Sequence, residues 1–133
     1  MLDIPESHRD LLDVDVAALS TIGDDGYPQV TMLWFNVVDG ELTLSLNTSR
    51  AKTRNLRKRP ECALLIVDPE VPQRYLEIRA RARVEPDDDY AFADVFTQKF
   101  GGVDLRNIDQ PGQSRVAVTL EPVRVWAVDM RRR

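Results

Sequence analysis

At 133 residues, with 43% hydrophobic and 30% charged, the chain is long enough for a single well-buried core and reads as one globular domain over residues 1–133. Its 22 Asp and Glu against 18 Lys and Arg give a formal net charge of -4, which argues against a general nucleic-acid binder. The longest apolar runs are short, as in Cys62 to Val67, so no transmembrane helix is expected. The opening MLDIPESHRD lacks a basic region followed by an apolar core, so no signal peptide is expected. The lone Cys62 cannot form an internal disulfide, which fits a reducing cytoplasm.

Pro5 to Asp13 reads as a short amphipathic helix, with Asp3 or Ser7 as caps and Leu11 and Leu12 inward. Val16 to Ile22 is a strand, closed by the turn signal Gly23-Asp24-Asp25-Gly26. A second strand, Tyr27 to Val38, ends at the hairpin signal Asp39-Gly40, and Glu41 to Asn47 returns as the third. Residues 49–59 form a short basic helix stopped before Pro60. Glu61 to Asp68 is a fourth strand. Gln73 to Val84 alternates strictly, with Leu76, Ile78, Ala80, Ala82 and Val84 on one face and Tyr75, Glu77, Arg79, Arg81 and Arg83 on the other. Asp87 to Phe100 reads as a helix with acidic residues in its first turn and Gly101 as its stop. After a loop over 101–113, a last strand runs from Arg115 to Val128, bent near Pro122. About six strands joined by hairpin-scale links, with two or three short helices, indicate a mainly β antiparallel barrel with helices attached.

The second strand is apolar on both faces: Val30, Met32, Trp34 and Val38 on one, and Thr31, Leu33, Phe35 and Val37 on the other. A barrel strand needs only one apolar face, so the second is covered by a partner subunit, a flat aromatic ligand or the chain's own helices.

Six of the 18 cations fall in SRAKTRNLRKRP, Ser49 to Pro60, which has no acidic residue. With Ser49 as cap, Arg50 and Lys52 stand at the positive end of the helix dipole, mildly unfavourable unless an anion is present. Free N–H groups, a hydroxyl and two cations would then converge on a phosphate. Arg57, Lys58 and Arg59 need no ligand, because the helix C-terminus favours cations anyway. A solvated face remains the alternative. Nucleic acid ranks lower, because the segment lacks interleaved aromatics. Other chemical signals are thin. His8 reads as a surface histidine, Cys62 as a buried small hydrophobe, and Trp126 as core or interface packing. No metal site and no acid, base or nucleophile is expected, so any chemistry falls to a bound cofactor.

The order GYPQVTMLWF, DGELTLSLNTSRAKTRNLRKRPECALLIVD, PQRYLEIRARARVEP and SRVAVTLEPVRVWAVD resembles the flavin and deazaflavin split-barrel family, from about Val14 to Asp129. RAKTRNLRK is its most specific piece and RYLEIRA a second marker. The best-known branch of that family is pyridoxamine 5'-phosphate oxidase; the closer likeness is to the actinobacterial branch that uses the deazaflavin coenzyme F420.

The resemblance implies a homodimer of six-stranded antiparallel split β-barrels with cofactor sites at the subunit interface. It implies that Arg50 and Lys52 bind the cofactor phosphate, helped by Ser49, Ala51 and Thr53, and that Asn55 ties the helix to its neighbouring strand. Thr31, Met32, Leu33 and Trp34 would line the isoalloxazine or deazaflavin ring, Ser45 and Asn47 would sit near the ribityl chain, and Tyr75 would reach in from the partner. The expected activity is hydride transfer from reduced F420 to an unsaturated or quinone-like small molecule. FMN is the alternative cofactor, and a non-catalytic cofactor binder the alternative role. The chain ends in WAVDMRRR where pyridoxamine phosphate oxidases carry an Arg- and His-bearing substrate motif, which argues against vitamin B6 synthesis. The Arg131 to Arg133 tail is read as frayed.

Overall fold

The computed structural model describes residues 2–132. Seven strands form one antiparallel sheet: β1 (Val16–Ile22), β2 (Pro28–Trp34), β3 (Asn36–Val38), β4 (Glu41–Asn47), β5 (Glu61–Val67), β6 (Arg74–Pro86) and β7 (Arg115–Asp129). Two α-helices accompany them, α1 (Ala51–Lys58) and α2 (Ala91–Phe96). The order across the sheet is β2-β1-β5-β6-β7-β4-β3, so β2 and β3, consecutive in the chain, occupy opposite edges.

A single residue, Phe35, joins those edges. The sheet must therefore curl until its edges meet there, as a split barrel requires. This accounts for the one difference in strand count: the expected strand over 27–38 is two, β2 and β3, and the sheet has seven strands where six were expected. Phe35 is 0% exposed, and its N–H bonds to Asp15 O (3.4 Å), one step beyond the Val16–Trp34 pair in the register of β1 and β2; after it the chain passes to the opposite edge as β3. The curl encloses Leu19, Leu44, Ile66, Ile78 and Val118 together with Phe35.

Local chemistry sets the remaining elements. Asp39 (φ 53°) and Gly40 (φ 77°) both take the left-handed conformation that a tight two-residue hairpin demands. In β6, Leu76, Ile78 and Ala80 are buried, while Arg83 pairs outward with Glu121 (2.8 Å) and Arg81 with Glu61. The bend in β7 is a register shift, with Arg79 opposite Arg124 and Ala80 opposite Pro122, which leaves Val123 unpaired. The helix expected over 87–100 is shorter: α2 starts at Ala91 and gives way to a 3-10 turn, Thr97–Phe100. The Asp87 carboxylate precedes it and accepts from the N–H groups of Phe92 (3.0 Å) and Ala93 (2.9 Å).

The N-terminal segment is a 3-10 helix, Glu6–Asp13, preceded by Pro5, with neither Asp3 nor Ser7 as cap. Leu11 is buried as expected, whereas Leu12 is half-buried. The surface reading of His8 is overturned. The ring is 5% exposed, with Nε2 3.0 Å from Val128 O and Nδ1 2.8 Å from Ser7 Oγ, so it clasps the N-terminal helix to the end of β7. Among the described residues no helix is long and apolar enough to cross a membrane. Arg131 forms hydrogen bonds to the Asp129 carboxylate (2.7 and 3.0 Å), so this part of the tail is tied rather than frayed; Arg133 lies outside the described residues.

Lys99 pins the closure. Its ammonium donates to the carbonyls of Val14 (2.6 Å), Phe35 (3.0 Å) and Leu12 (3.2 Å), and lies 3.9 Å from the Phe35 ring centroid. Replacing Lys99 by Met keeps the aliphatic stem but leaves three carbonyls without this donor. We expect Lys99→Met to lose about 1–3 kcal/mol of stability in urea denaturation, and an unchanged midpoint would contradict this role.

Candidate functional site

The end of β4 and the start of α1 are organised by Asn47. Its Oδ1 accepts from Ser49 N (2.8 Å), and its carbonyl accepts from Thr53 Oγ1 (2.7 Å) and Arg50 N (3.2 Å). Its Nδ2 donates to Asp109 Oδ1 (2.8 Å) and Gln113 Oε1 (2.9 Å), which draws the 101–113 loop onto the same spot. Asn47 is thus the joint of β4, α1 and that loop.

This joint borders an open groove of about 520 Å³. Seven expected residues line it: Met32, Leu33, Ser45, Asn47, Ser49, Arg50 and Lys52. Thr31 stands at its edge, its Oγ1 accepting from Lys52 Nζ (3.1 Å). The remaining five lie elsewhere. Thr53 is buried behind the groove, and Asn55 donates to Thr21 Oγ1 on β1 (3.0 Å), tying α1 to that strand. Ala51 borders a separate hollow with Tyr27 and Gln29. Trp34 stacks on Phe100 (centroids 4.3 Å apart, planes 4° apart), so the chain's own 3-10 turn covers one of its faces. Tyr75 lies on the outer face of β6, beside Leu65 and Val67, away from the groove within one protomer.

The helix start differs from the expected one in a single respect. The N-cap is Arg50 rather than Ser49, and no side chain caps the helix. Thr53 N already donates to Arg50 O (3.1 Å), so in the first turn it is the N–H groups of Ala51 and Lys52 that no side chain caps. Burial, followed by the nearby Arg50 charge, lowers the Lys52 pKa from its ordinary value. Both effects disfavour an unneutralised ammonium there, and an anion in the groove would relieve them. At the far end of α1, Lys58 (3.2 Å) and Arg59 (2.7 Å) pair with Asp24, and Arg59 Nε also donates to Ile22 O (2.9 Å). Those two cations are structural rather than merely solvated.

Four groove residues carry no signal in the sequence: Ile108, Asp109, Gln113 and Arg115. Asp109 and Arg115 form a buried ion pair (2.8 and 2.9 Å), 3% and 10% exposed at their side chains. Tyr90 donates to Asp109 Oδ2 (2.7 Å), and Arg115 donates to Ser45 O (3.2 Å). The pair neutralises itself, so the groove's uncompensated cations are Arg50 and Lys52. Above it, Ser45 Oγ is the one buried side-chain polar atom among the described residues without a hydrogen-bond partner. A buried hydroxyl left unpaired on a groove wall suits a ligand that itself bears hydroxyls. Elsewhere, Cys62 is buried and its thiol pKa is pushed up to about 12, first by burial and then by Glu61, so it is no nucleophile. Among the described residues no group of three or more His, Cys, Asp or Glu could hold a metal ion.

The pyridoxamine 5'-phosphate oxidase family model matches residues 4–129. The chain belongs to this flavin and deazaflavin split-barrel family. Among solved structures it resembles an F420 reductase at 32% identity, over 92% of this chain and 98% of that one, with a TM-score of 0.78. A conserved hypothetical protein from Mycobacterium tuberculosis shares 24% identity over 98% of this chain and 88% of that one (TM-score 0.77). HutZ, the heme storage protein from Vibrio cholerae, shares 15% over 97% and 99% (TM-score 0.74). At those two identities the likeness is one of fold alone. No curated protein matches the chain.

The Asp109 carboxyl is held below its ordinary pKa: burial pushes it up, but the bonds from Arg115, Tyr90 and Asn47 outweigh that. A depressed carboxylate contributes stability that is present above its unfolded value and lost as the pH falls through the folded one. Asp109→Asn strands the Arg115 charge. It should cost about 3–5 kcal/mol at pH 7 and flatten the decline of stability below about pH 4. Denaturant midpoints against pH read both effects, and parallel wild-type and variant profiles would contradict the assignment.

Proposed function

We propose that this chain is an oxidoreductase that binds a phosphorylated deazaflavin or flavin in the groove at the start of α1, with coenzyme F420 as the cofactor and FMN as the alternative. The observation that carries the reading is the pairing of two uncompensated cations, Arg50 and Lys52, at an uncapped helix start with the unpartnered Ser45 Oγ on the same groove. The 32% identity to an F420 reductase favours the deazaflavin. A ribityl phosphate suits this donor set: phosphate toward Arg50, Lys52 and the first-turn N–H groups, hydroxyls toward Ser45 and Asn47, and the ring against Met32 and Leu33. The bound cofactor would supply the hydride for an unsaturated or quinone-like small molecule.

The protein's own part is positioning. Asn47 holds the helix start and the 101–113 loop against one another, so the phosphate and polyol contacts keep a fixed spacing. Thr31 braces the Lys52 ammonium. With the phosphate end anchored, the ligand's ring is held against Met32 and Leu33, which leaves its other face for a second molecule. Trp34 contributes at the margin of this wall through its stack on Phe100, and Tyr75 only from a second subunit.

A homodimer accords with the outer face of β2, where Val30 and Met32 are 63% and 64% exposed. Leu65 and Ala18 continue that face across the sheet. A second copy would bury it in an isologous contact. Haem storage, the role of HutZ, finds less support, because both ring nitrogens of His8 are already engaged.

Lys52→Ala should weaken cofactor binding about 10- to 150-fold, or about 1.4–3 kcal/mol, with thermal stability retained. Wild-type affinity should also fall with rising pH before an ordinary lysine would titrate, because the depressed Lys52 loses its proton early. Calorimetric titration with F420 and with FMN checks both, and unchanged affinity in the variant removes the phosphate assignment. Visible absorbance of the purified protein and the mass of its released chromophore should identify the deazaflavin. Release of FMN decides for the alternative, and cofactor binding without turnover of any acceptor decides for a non-catalytic binder.

A further inference from the structure

Strand pairing leaves one side of β4 bare where the groove opens. β3 pairs with β4 only from Glu41 to Thr43, whereas β7 pairs along it from Leu42 to Asn47. Beyond Thr43 the free side of β4 looks across the groove to Met32 and Leu33 of β2, brought there by closure of the sheet. The loop over 101–113 enters from the β7 side, because it leads into Arg115. A ring lying against Met32 and Leu33 therefore turns its other face toward that loop, which lines the groove with Ile108, Asp109 and Gln113.

These three residues differ in what they still offer a ligand. Asp109 Oδ1 accepts from Asn47 Nδ2 and Arg115 Nη2 (both 2.8 Å), and Oδ2 accepts from Tyr90 Oη (2.7 Å) and Arg115 Nε (2.9 Å), so the carboxylate is saturated. Gln113 Oε1 accepts from Asn47 Nδ2 (2.9 Å) and Gln110 N (3.0 Å). Two N–H donors on that oxygen fix which way the amide faces, and its Nε2, with two hydrogens, has no partner among the described residues. Ile108 closes a 3-10 turn onto the buried Leu105 (Ile108 N to Leu105 O, 3.0 Å), yet its own side chain stays 56% exposed. The loop wall thus carries an oriented, unused amide donor and an apolar side chain. It has no free cation, since Arg115 is matched by Asp109 and the phosphate takes up Arg50 and Lys52. Neither Ile108 nor Gln113 belongs to the outward face of β1, β2 and β5 that a second subunit would cover.

We propose that this wall seats the second molecule, an uncharged conjugated carbonyl compound whose oxygen accepts from Gln113 Nε2 and whose apolar body lies on Ile108. The assignment rests on the reading of the groove as the cofactor site, because the ring supplies the opposite wall. The molecule then stacks face to face with the ring, as hydride transfer requires. When a hydride from the reduced deazaflavin or flavin adds to the carbon conjugated with that carbonyl, the electron pair of the C=C bond shifts onto the oxygen. There the Gln113 N–H groups stabilise the developing enolate, and a proton from water completes the two-electron reduction. Carboxylated, sulfonated or phosphorylated acceptors would lose hydration on this wall without gaining a cation.

The test loads the purified chain with oxidised F420 or FMN, so that nothing turns over, and titrates it calorimetrically with 2-methyl-1,4-naphthoquinone and with 2-methylnaphthalene, which lacks the carbonyls. Gln113→Glu keeps the oxygen that Asn47 and Gln110 use and exchanges the NH2 for a second oxygen. At about pH 8, where a glutamate is ionised, it should weaken the quinone about tenfold, the worth of one hydrogen bond, and leave hydrocarbon and cofactor affinity within about threefold of wild type. Ile108→Ser should weaken both probes alike, by about fivefold. Infrared difference spectra add a readout that needs no variant: a carbonyl stretch of the bound quinone should fall below its position in hydrocarbon solvent. An unshifted carbonyl band in the wild type overturns the proposal, as does a Gln113→Glu variant that binds the quinone normally. So does a variant that loses the cofactor while binding the quinone as before, since the donor then serves the cofactor. Failure of F420 and FMN to bind removes the reading of the groove and this subsite with it, whereas cofactor binding with unchanged quinone affinity in Gln113→Glu removes the subsite alone.

Discussion

One constraint organises this molecule: consecutive strands must occupy opposite edges of the sheet, with Phe35 alone between them. The chain can satisfy it only by curling the sheet, burying the Phe35 ring at the seam and tying the local carbonyls to Lys99. Curling fixes what lies beside what. It carries Met32 and Leu33, near the end of β2, to the side of β4 and the start of α1, although they are far apart in the sheet order. The groove exists because the barrel closes there.

Closure also determines the surface the protomer leaves uncovered. Residues facing inward from β1, β5 and β6 complete the core, and the outward-facing Val30, Met32 and Leu65 make a second apolar surface that is exposed in the protomer. Met32 is common to that surface and to the polar groove.

The cations fall into two groups. Those that hold the fold have partners within the chain: Arg115 has Asp109, Lys58 and Arg59 share Asp24, Arg74 has Asp68, and Lys99 has three backbone carbonyls. In the groove, Arg50 and Lys52 have no carboxylate partner among the described residues. A desolvated lysine beside an arginine costs stability unless something negative arrives, and folds retain such an arrangement where binding offsets it.

Much of this was legible in the amino-acid sequence, because it depends on short-range periodicity. Strict alternation in β6, the Asp39-Gly40 hairpin and the concentration of cations after Ser49 each follow from backbone sterics or charge within a few residues. So did seven of the groove residues, through the resemblance of RAKTRNLRK and its neighbours to a known family. What the sequence could not determine involves partners distant along the chain. The strand divides at Phe35 because β2 pairs with β1 and β3 with β4, at opposite edges of the sheet. His8 is buried because Val128, 120 residues away, offers its carbonyl. Asp109 and Arg115 enter the groove because Asn47, more than 60 residues earlier, reaches the loop between them. Trp34 has one face covered because Phe100, 66 residues later in the chain, stacks on it. Residue types and local spacing determine strands, turns and a charge anomaly; only closure of the sheet decides which of those charges are neutralised and which are left to meet a ligand.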